Sequence, residues 1–184
     1  MKRYLINDLK KEIIGHSAAC KTPFGLRNLF YADYTASGRG LKFIEDKIQN
    51  ILKSYANPHT EDDYTGKYMT TLLHQAESKI KKLVNADSNC NIISIGSGAT
   101  GALVKLQQIL GIYIPPVTKA KLYEIIGKVR PDDPHLIQDI KKHQTVVFIS
   151  PYEHHSNELL WRESFSETVI IKMDKSGKLD LTDL

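Results

Sequence analysis

The sequence of 184 residues is poor in cysteine, with only Cys20 and Cys90, which lie far apart and form no CxxC pair. A disulfide scaffold and a cysteine-based zinc or redox motif are therefore not indicated. The first residues are charged and lack the apolar core of a signal peptide. Together these features predict a reduced, cytoplasmic protein.

Long hydrophobic runs are also missing. The longest nearly apolar stretch, 109–117, is interrupted by Pro115 and Pro116, whereas a membrane-spanning helix needs about 20 apolar residues. Glycine and proline are too scarce for a low-complexity chain, and 41% hydrophobic with 25% charged residues is ordinary globular usage. We therefore expect a globular protein without a membrane partner.

Charge of one sign is scarce as well. The net charge of +4 arises largely within residues 1–21, which contain five basic residues but only two acidic ones, Asp8 and Glu12. A nucleic-acid-binding protein would interleave a basic stripe with aromatic residues. The segment instead resembles a solvated helix, so no nucleic-acid partner is expected.

Apolar spacings of three and four predict several helices, and short β-branched runs predict strands. The helices are expected at 4–14, 41–55, 69–84 and 102–110, and the strands at 91–95, 145–150 and 168–173. Residues 15–30 are interpreted as an arm, and 31–40 as a loop with room for one short strand. Residues 112–143, with amphipathic stretches near 118–128 and 134–142, are interpreted as an insertion.

Alternating strands and helices predict an α/β fold with parallel strands. We expect residues 1–30 to form an N-terminal helix and arm, and 31–184 the main domain. Three short strands would leave the edges of the sheet exposed. The sequence therefore predicts an incomplete, mostly parallel sheet.

A glycine-rich loop, Gly96-Ser97-Gly98-Ala99-Thr100-Gly101, lies between a predicted strand and a predicted helix. Glycines let a ligand approach the backbone, and a helix N-terminus attracts phosphate. The loop matches GxGxxG, but the acidic residue expected about 20 positions on, after another strand, is missing. A phosphate-type anion site, a dinucleotide site and a structural turn remain open at this point.

Histidines follow the predicted strand 145–150 in the segment Glu153-His154-His155-Ser156-Asn157. If the strands are parallel, this segment and the glycine-rich loop share the rim where α/β proteins bind ligands. The histidines are able to stack on a planar ligand, cap a helix or bind a metal together with His59 or His74. A metal-dependent hydrolase is therefore one alternative.

Four segments, YADYTASG, NPHT, GSGATGA and EHHSN, resemble in order and spacing the N-terminal half of the class V aminotransferase family. This family includes the cysteine desulfurases and uses pyridoxal 5'-phosphate on a fold-type I scaffold. The resemblance covers roughly residues 28–184. It implies part of a three-layer α/β/α large domain, a homodimer in the full-length protein and an amino acid as small-molecule substrate.

The resemblance also implies roles for individual residues. Phosphate would be held by Gly98, Ala99 and Thr100, and His154 would stack on the pyridine ring. Ala36 would line the substrate side, and Asn57 to Thr60, including His59, would shape the entrance. Two positions depart from the family pattern: Gly101 stands where glutamate is frequent, and YTASG replaces the NAAT of desulfurases.

No catalytic residue is assigned within the chain. The family's Schiff-base lysine, and the aspartate that pairs with the pyridine nitrogen, are expected beyond EHHSN, where no lysine of this sequence lies in a matching motif. The resemblance therefore implies an inactive fragment of an enzyme that catalyses transamination, desulfuration or another β-elimination. The alternative is a complete, non-catalytic half-domain that binds a phosphate ligand or a partner.

Overall fold

A computed structural model describes residues 6–184 and divides the chain into two compact units, Met1–Ile92 and Ile93–Leu184. Both helices and strands are present, so the predicted α/β class is confirmed at this level. The division predicted at residue 30 stays a prediction. No helix within the described residues is long and apolar enough to cross a membrane.

From residue 6 onward, the described part of the first unit contains three helices and a hairpin. Its elements are α1 (Ile6–Glu12), β1 (Ala19–Thr22), β2 (Gly25–Asn28), α2 (Lys42–Leu52) and α3 (Tyr64–Leu83). All three helices overlap predicted ones, although the first two residues predicted for α1 lie outside the described part. The apolar periodicity of three and four therefore located these helices correctly.

The segment interpreted as an arm is instead an antiparallel hairpin, with Ala19 paired to Asn28 and Thr22 paired to Gly25. Pro23 and Phe24 form its turn, and Gly25 follows with φ of 91°. Strands of four residues are too short for a visible alternation of side chains, which explains why the sequence did not predict them. No strand forms over 31–40.

The second unit alternates helices with two parallel strands. Its elements are α4 (Ala99–Ile109), α5 (Pro116–Val129), α6 (Leu136–Lys142), β3 (Thr145–Ile149), α7 (His155–Glu163) and β4 (Ser166–Ile170). Helices α5 and α6 coincide with the amphipathic stretches predicted within 112–143. Strands β3 and β4 pair in parallel, from Thr145 opposite Ser166 to Ile149 opposite Ile170.

The core of the second unit lies beneath this strand pair. Ile112, Ile149 and Trp161 are each at least nine-tenths buried, and Leu103 and Val147 pack against them. Gln107 of α4 is also buried, and its side-chain N–H donates to the carbonyl of Leu160, 2.8 Å away. This bond ties α4 to α7, because a buried amide without a partner would be costly.

The prediction of a strand at 91–95 is wrong. These residues form no ladder with another strand, and Ile93 and Ile95 are 53% and 42% exposed. An apolar, β-branched run favours extended backbone, but a strand exists only when a neighbour supplies hydrogen bonds. Among the described residues, the parallel sheet therefore has two strands rather than three.

The last strand is displaced from its prediction at 168–173. Strand β4 begins two residues earlier and ends at Ile170, because β3 offers only five residues to pair with and is followed by Ser150 and Pro151. Beyond β4, the backbone N–H of Lys172 donates to the carboxylate of Asp183. A turn follows at Asp174–Gly177, where the N–H of Gly177 donates to the carbonyl of Asp174.

We predict that Ile149→Ala destabilises the second unit by about 2–5 kcal/mol, because it leaves a cavity in the core. Val146→Ala, at another β3 residue that is 45% exposed, should cost clearly less. Urea unfolding followed by tryptophan fluorescence measures both, since Trp161 is the only tryptophan. Equal effects of the two substitutions would contradict this assignment of the core.

Candidate functional site

The glycine-rich loop leads into α4 with an open N-terminus. Gly98 is the N-cap residue, its backbone is extended, and no side chain caps the helix. A Cβ atom added to Gly98 would meet nothing within 4 Å. Gly96 has φ of 56°, a left-handed conformation that favours glycine. The loop therefore leaves space in front of the first N–H groups of α4.

The other helices that begin near predicted site residues are capped. Asp63 accepts a hydrogen bond from Gly66 N–H at the start of α3, and His154 accepts one from Ser156 N–H at the start of α7. Hydrogen bonds from the Thr65 hydroxyl and Gly66 N–H hold the pKa of Asp63 below its ordinary value. At α4 the N–H groups and the helix dipole are left for an external anion.

The histidine segment is held in a defined conformation. The Nδ1 atom of His154 lies 3.3 Å from Ser156 N and 2.8 Å from the Ser156 hydroxyl. A backbone N–H can only donate, so Nδ1 is the acceptor and a neutral His154 ring carries its proton on Nε2. The ring of His155 lies beside it, with centroids 4.1 Å apart.

Asn157 joins this segment to the core. Its amide N–H donates to the carboxylate of Glu153 at 2.7 Å, and its carbonyl oxygen accepts from the indole N–H of Trp161 at 2.9 Å. Because Trp161 is buried, the last residue of the EHHSN motif ties the exposed histidines to the packed interior.

A cleft of about 520 Å³ runs between α4 and α7. Thr100 lies on it, as do His155 and Ser156 at the start of α7. The structure thus brings Thr100 of the glycine-rich loop and the histidine segment to one cleft, although no strand directly precedes the glycine-rich loop. His155, and not His154, is among the side chains that line it.

The residues predicted near the substrate lie in the first unit. His59 has φ of 73°, its N–H donates to the Thr70 hydroxyl at 2.9 Å, and that hydroxyl donates to the carbonyl of Thr60. Gly66 leaves room for Thr60, because a Cβ there would lie 2.2 Å from the Thr60 methyl carbon. The loop that contains Asn57 and His59 is therefore anchored on α3.

Ala36 lies in an exposed turn, with its N–H donating to the carbonyl of Asp33 at 3.2 Å. The Tyr31 hydroxyl closes this turn by donating to the carbonyls of Ser37 and Asp33. No hydrogen bond within residues 6–184 joins the Ala36 turn to the Asn57–Thr60 loop. The part of the chain that the structure describes also contains no group of three or more His, Cys, Asp or Glu residues that could hold a metal ion.

Comparison with protein families supports the resemblance. Residues 30–114 match the family model for Aminotransferase class-V. This part of the chain is similar to class V aminotransferases. The matched segment contains the Ala36 turn, the Asn57–Thr60 loop and the glycine-rich loop, whereas His154 lies outside it. No curated protein matches the chain.

We predict that Ser156→Ala shifts the tautomer balance of His154, because it removes the hydroxyl that lies 2.8 Å from Nδ1. Side-chain ¹⁵N NMR should show mainly the Nε2–H form in the parent chain and more of the Nδ1–H form in the variant. Ser156→Thr should restore the parent signal.

Ser176→Ala is the matched control, since the Ser176 hydroxyl donates to Asp174 and not to His154. It should leave the His154 signals unchanged. An unchanged tautomer balance in Ser156→Ala would show that Ser156 does not position the ring.

Proposed function

We propose that this chain is the N-terminal part of a pyridoxal-phosphate-dependent enzyme of the class V aminotransferase family, acting on an amino acid. The observation that carries the proposal is the uncapped N-terminus of α4 within the segment that matches the family. A fold-type I large domain, with helices on both faces of a larger parallel sheet, is the architecture that this proposal requires.

The glycine-rich loop fits the phosphate of such a cofactor. Because Gly98 has no side chain, an anion has space in front of the helix. Ala99 and Thr100 are the first residues of α4, so their N–H groups lie at the end where the helix dipole favours negative charge. The Thr100 hydroxyl is a further donor. We therefore assign phosphate binding to these three residues.

His154 suits a stacking role. Its side chain is exposed, and its Nδ1 atom is held by Ser156, so the orientation of the ring is fixed before a ligand arrives. When bound, pyridoxal phosphate supplies an electron sink for bonds at the α-carbon of an amino acid. Ala36, Asn57 and His59 are assigned to the substrate side on the strength of the family resemblance.

The lysine that attaches the cofactor, and the aspartate for its ring nitrogen, are proposed to lie outside these 184 residues. The exposed surface supports an incomplete assembly. Phe148 of β3 and Ile170 of β4 are 51% and 50% exposed, although apolar side chains of this size on paired strands are commonly buried. We infer that further polypeptide, including a second subunit of a homodimer, covers part of this apolar surface.

A second candidate is a non-catalytic half-domain that binds a phosphate ligand or a partner. The buried cluster of Ile112, Ile149 and Trp161 favours it, because this core is made within the chain. Both candidates use the same anion site. They differ in whether transamination, desulfuration or another β-elimination is carried out by a larger protein.

The test is a titration of the purified chain with pyridoxal phosphate and with pyridoxal, which lacks the phosphate. We expect pyridoxal phosphate to bind, and Gly98→Val to weaken this binding about tenfold or more, because the added side chain occupies the space of the phosphate. The extended backbone of Gly98 accepts valine without strain. Gly127→Val, at an open position of α5, is the control and should bind normally.

Equal affinity for pyridoxal and pyridoxal phosphate, or no effect of Gly98→Val, would contradict the phosphate site. In the same samples, cysteine and alanine should not be turned over. Turnover would show that the chain contains its own attachment lysine, contrary to the proposal.

A further inference from the structure

A second cavity, of about 360 Å³, lies in the first unit, between the hairpin and the segment 31–39. Its lining consists of His16, Ser17, Asn28, Leu29, Phe30, Tyr31, Tyr34 and Arg39. The basic side chains of His16 and Arg39 thus share this cavity with three aromatic rings, those of Phe30, Tyr31 and Tyr34. We propose that this cavity is a binding site for a small organic carboxylate, with Arg39 as the anion-binding group.

Arg39 is fixed in place by two neighbours. Its Nη1 atom donates to the carbonyl of Gly15 at 3.0 Å, and its guanidinium lies 4.9 Å from the centre of the Tyr31 ring. Tyr31 is itself held in place by its hydroxyl, which donates to the carbonyl of Ser37 at 2.6 Å. A guanidinium that is already oriented loses little conformational entropy when it binds an anion.

The backbone is shaped around this guanidinium. Gly15 has φ of 79°, and a Cβ atom at this position would lie 3.2 Å from Nη1 and 3.3 Å from Nη2 of Arg39. Glycine therefore serves two needs here, the left-handed turn after α1 and the room for Arg39. The arrangement is specific, because an ordinary surface arginine needs neither.

The charge of Arg39 has no carboxylate partner in the part of the chain that the structure describes. By contrast, Arg130 and Arg162 each lie beside an acidic side chain. Arg39 is also less exposed than these two. A half-buried cation without a counter-ion is unfavourable, and an anion in the adjacent cavity relieves this cost.

The remaining lining defines the ligand. A planar carboxylate matches the fork of the guanidinium, while Asn28 and His16 offer further polar groups. Tyr34 packs edge to face on Tyr31, with centroids 5.1 Å apart, and Leu29 adds apolar surface. A carboxylate with a small aromatic or aliphatic body therefore fits the cavity, and benzoate is a suitable probe.

The experiment is an NMR titration of the full chain with benzoate, alongside benzyl alcohol as an uncharged analogue with the same ring. Benzoate should shift the backbone signals of the cavity residues, and benzyl alcohol should bind about tenfold more weakly or not at all, because it lacks the charge-assisted hydrogen bonds. Arg39→Gln should reduce benzoate affinity to a similar degree.

Arg27→Gln is the matched control: it removes the same charge from the hairpin, at a residue that does not line the cavity. It should bind benzoate as the parent does. Because Arg39→Gln also removes the bond to Gly15, the exposed His16→Gln variant is tested in parallel and should weaken binding without loss of folding. Gly98→Val should leave benzoate binding unchanged, so this proposal stands or fails separately from the phosphate site.

Three results would overturn the proposal: equal binding of benzoate and benzyl alcohol, equal losses in the Arg39 and Arg27 variants, or benzoate-dependent shifts that lie outside the cavity.

Discussion

The packing of α7 beneath β3, through Trp161 and Ile149, is the contact on which the second unit depends. It fixes the helix that follows the histidine segment, and the buried amide of Gln107 then joins α4 to that helix. As a result, Thr100 and His155 lie on one cleft although they are far apart in sequence. A core of few residues thus positions both loops that are able to bind a ligand.

The N-termini of α4 and α7 differ in how they are capped. His154 uses its own ring to cap α7, which fixes the ring but satisfies that helix internally. Helix α4 has glycine at the same position, so its N–H groups need an external acceptor. The two loops therefore have complementary properties: one presents an oriented ring, and the other presents the positive end of a helix dipole.

Much of this could be predicted from the sequence, because helices α1 to α6 follow the local spacing of apolar residues, whereas helix α7 was not predicted. The segment 91–95 failed as a strand because pairing depends on a neighbour, which no local pattern reveals. The glycine-rich loop was found from its spacing. The cavity beside Arg39 was not found from the sequence, since the contacts of Arg39 with Gly15 and Tyr31 join residues separated in sequence. The role of Ser156 likewise required the geometry of His154.

The most direct test of the account is a backbone amide NMR spectrum of the chain, recorded with and without pyridoxal phosphate. We predict that the largest changes occur at Ala99, Thr100 and His154, because the phosphate would accept hydrogen bonds from the first two residues and the pyridine ring would stack on the third. Changes confined to other residues, or none at saturating cofactor, would contradict it.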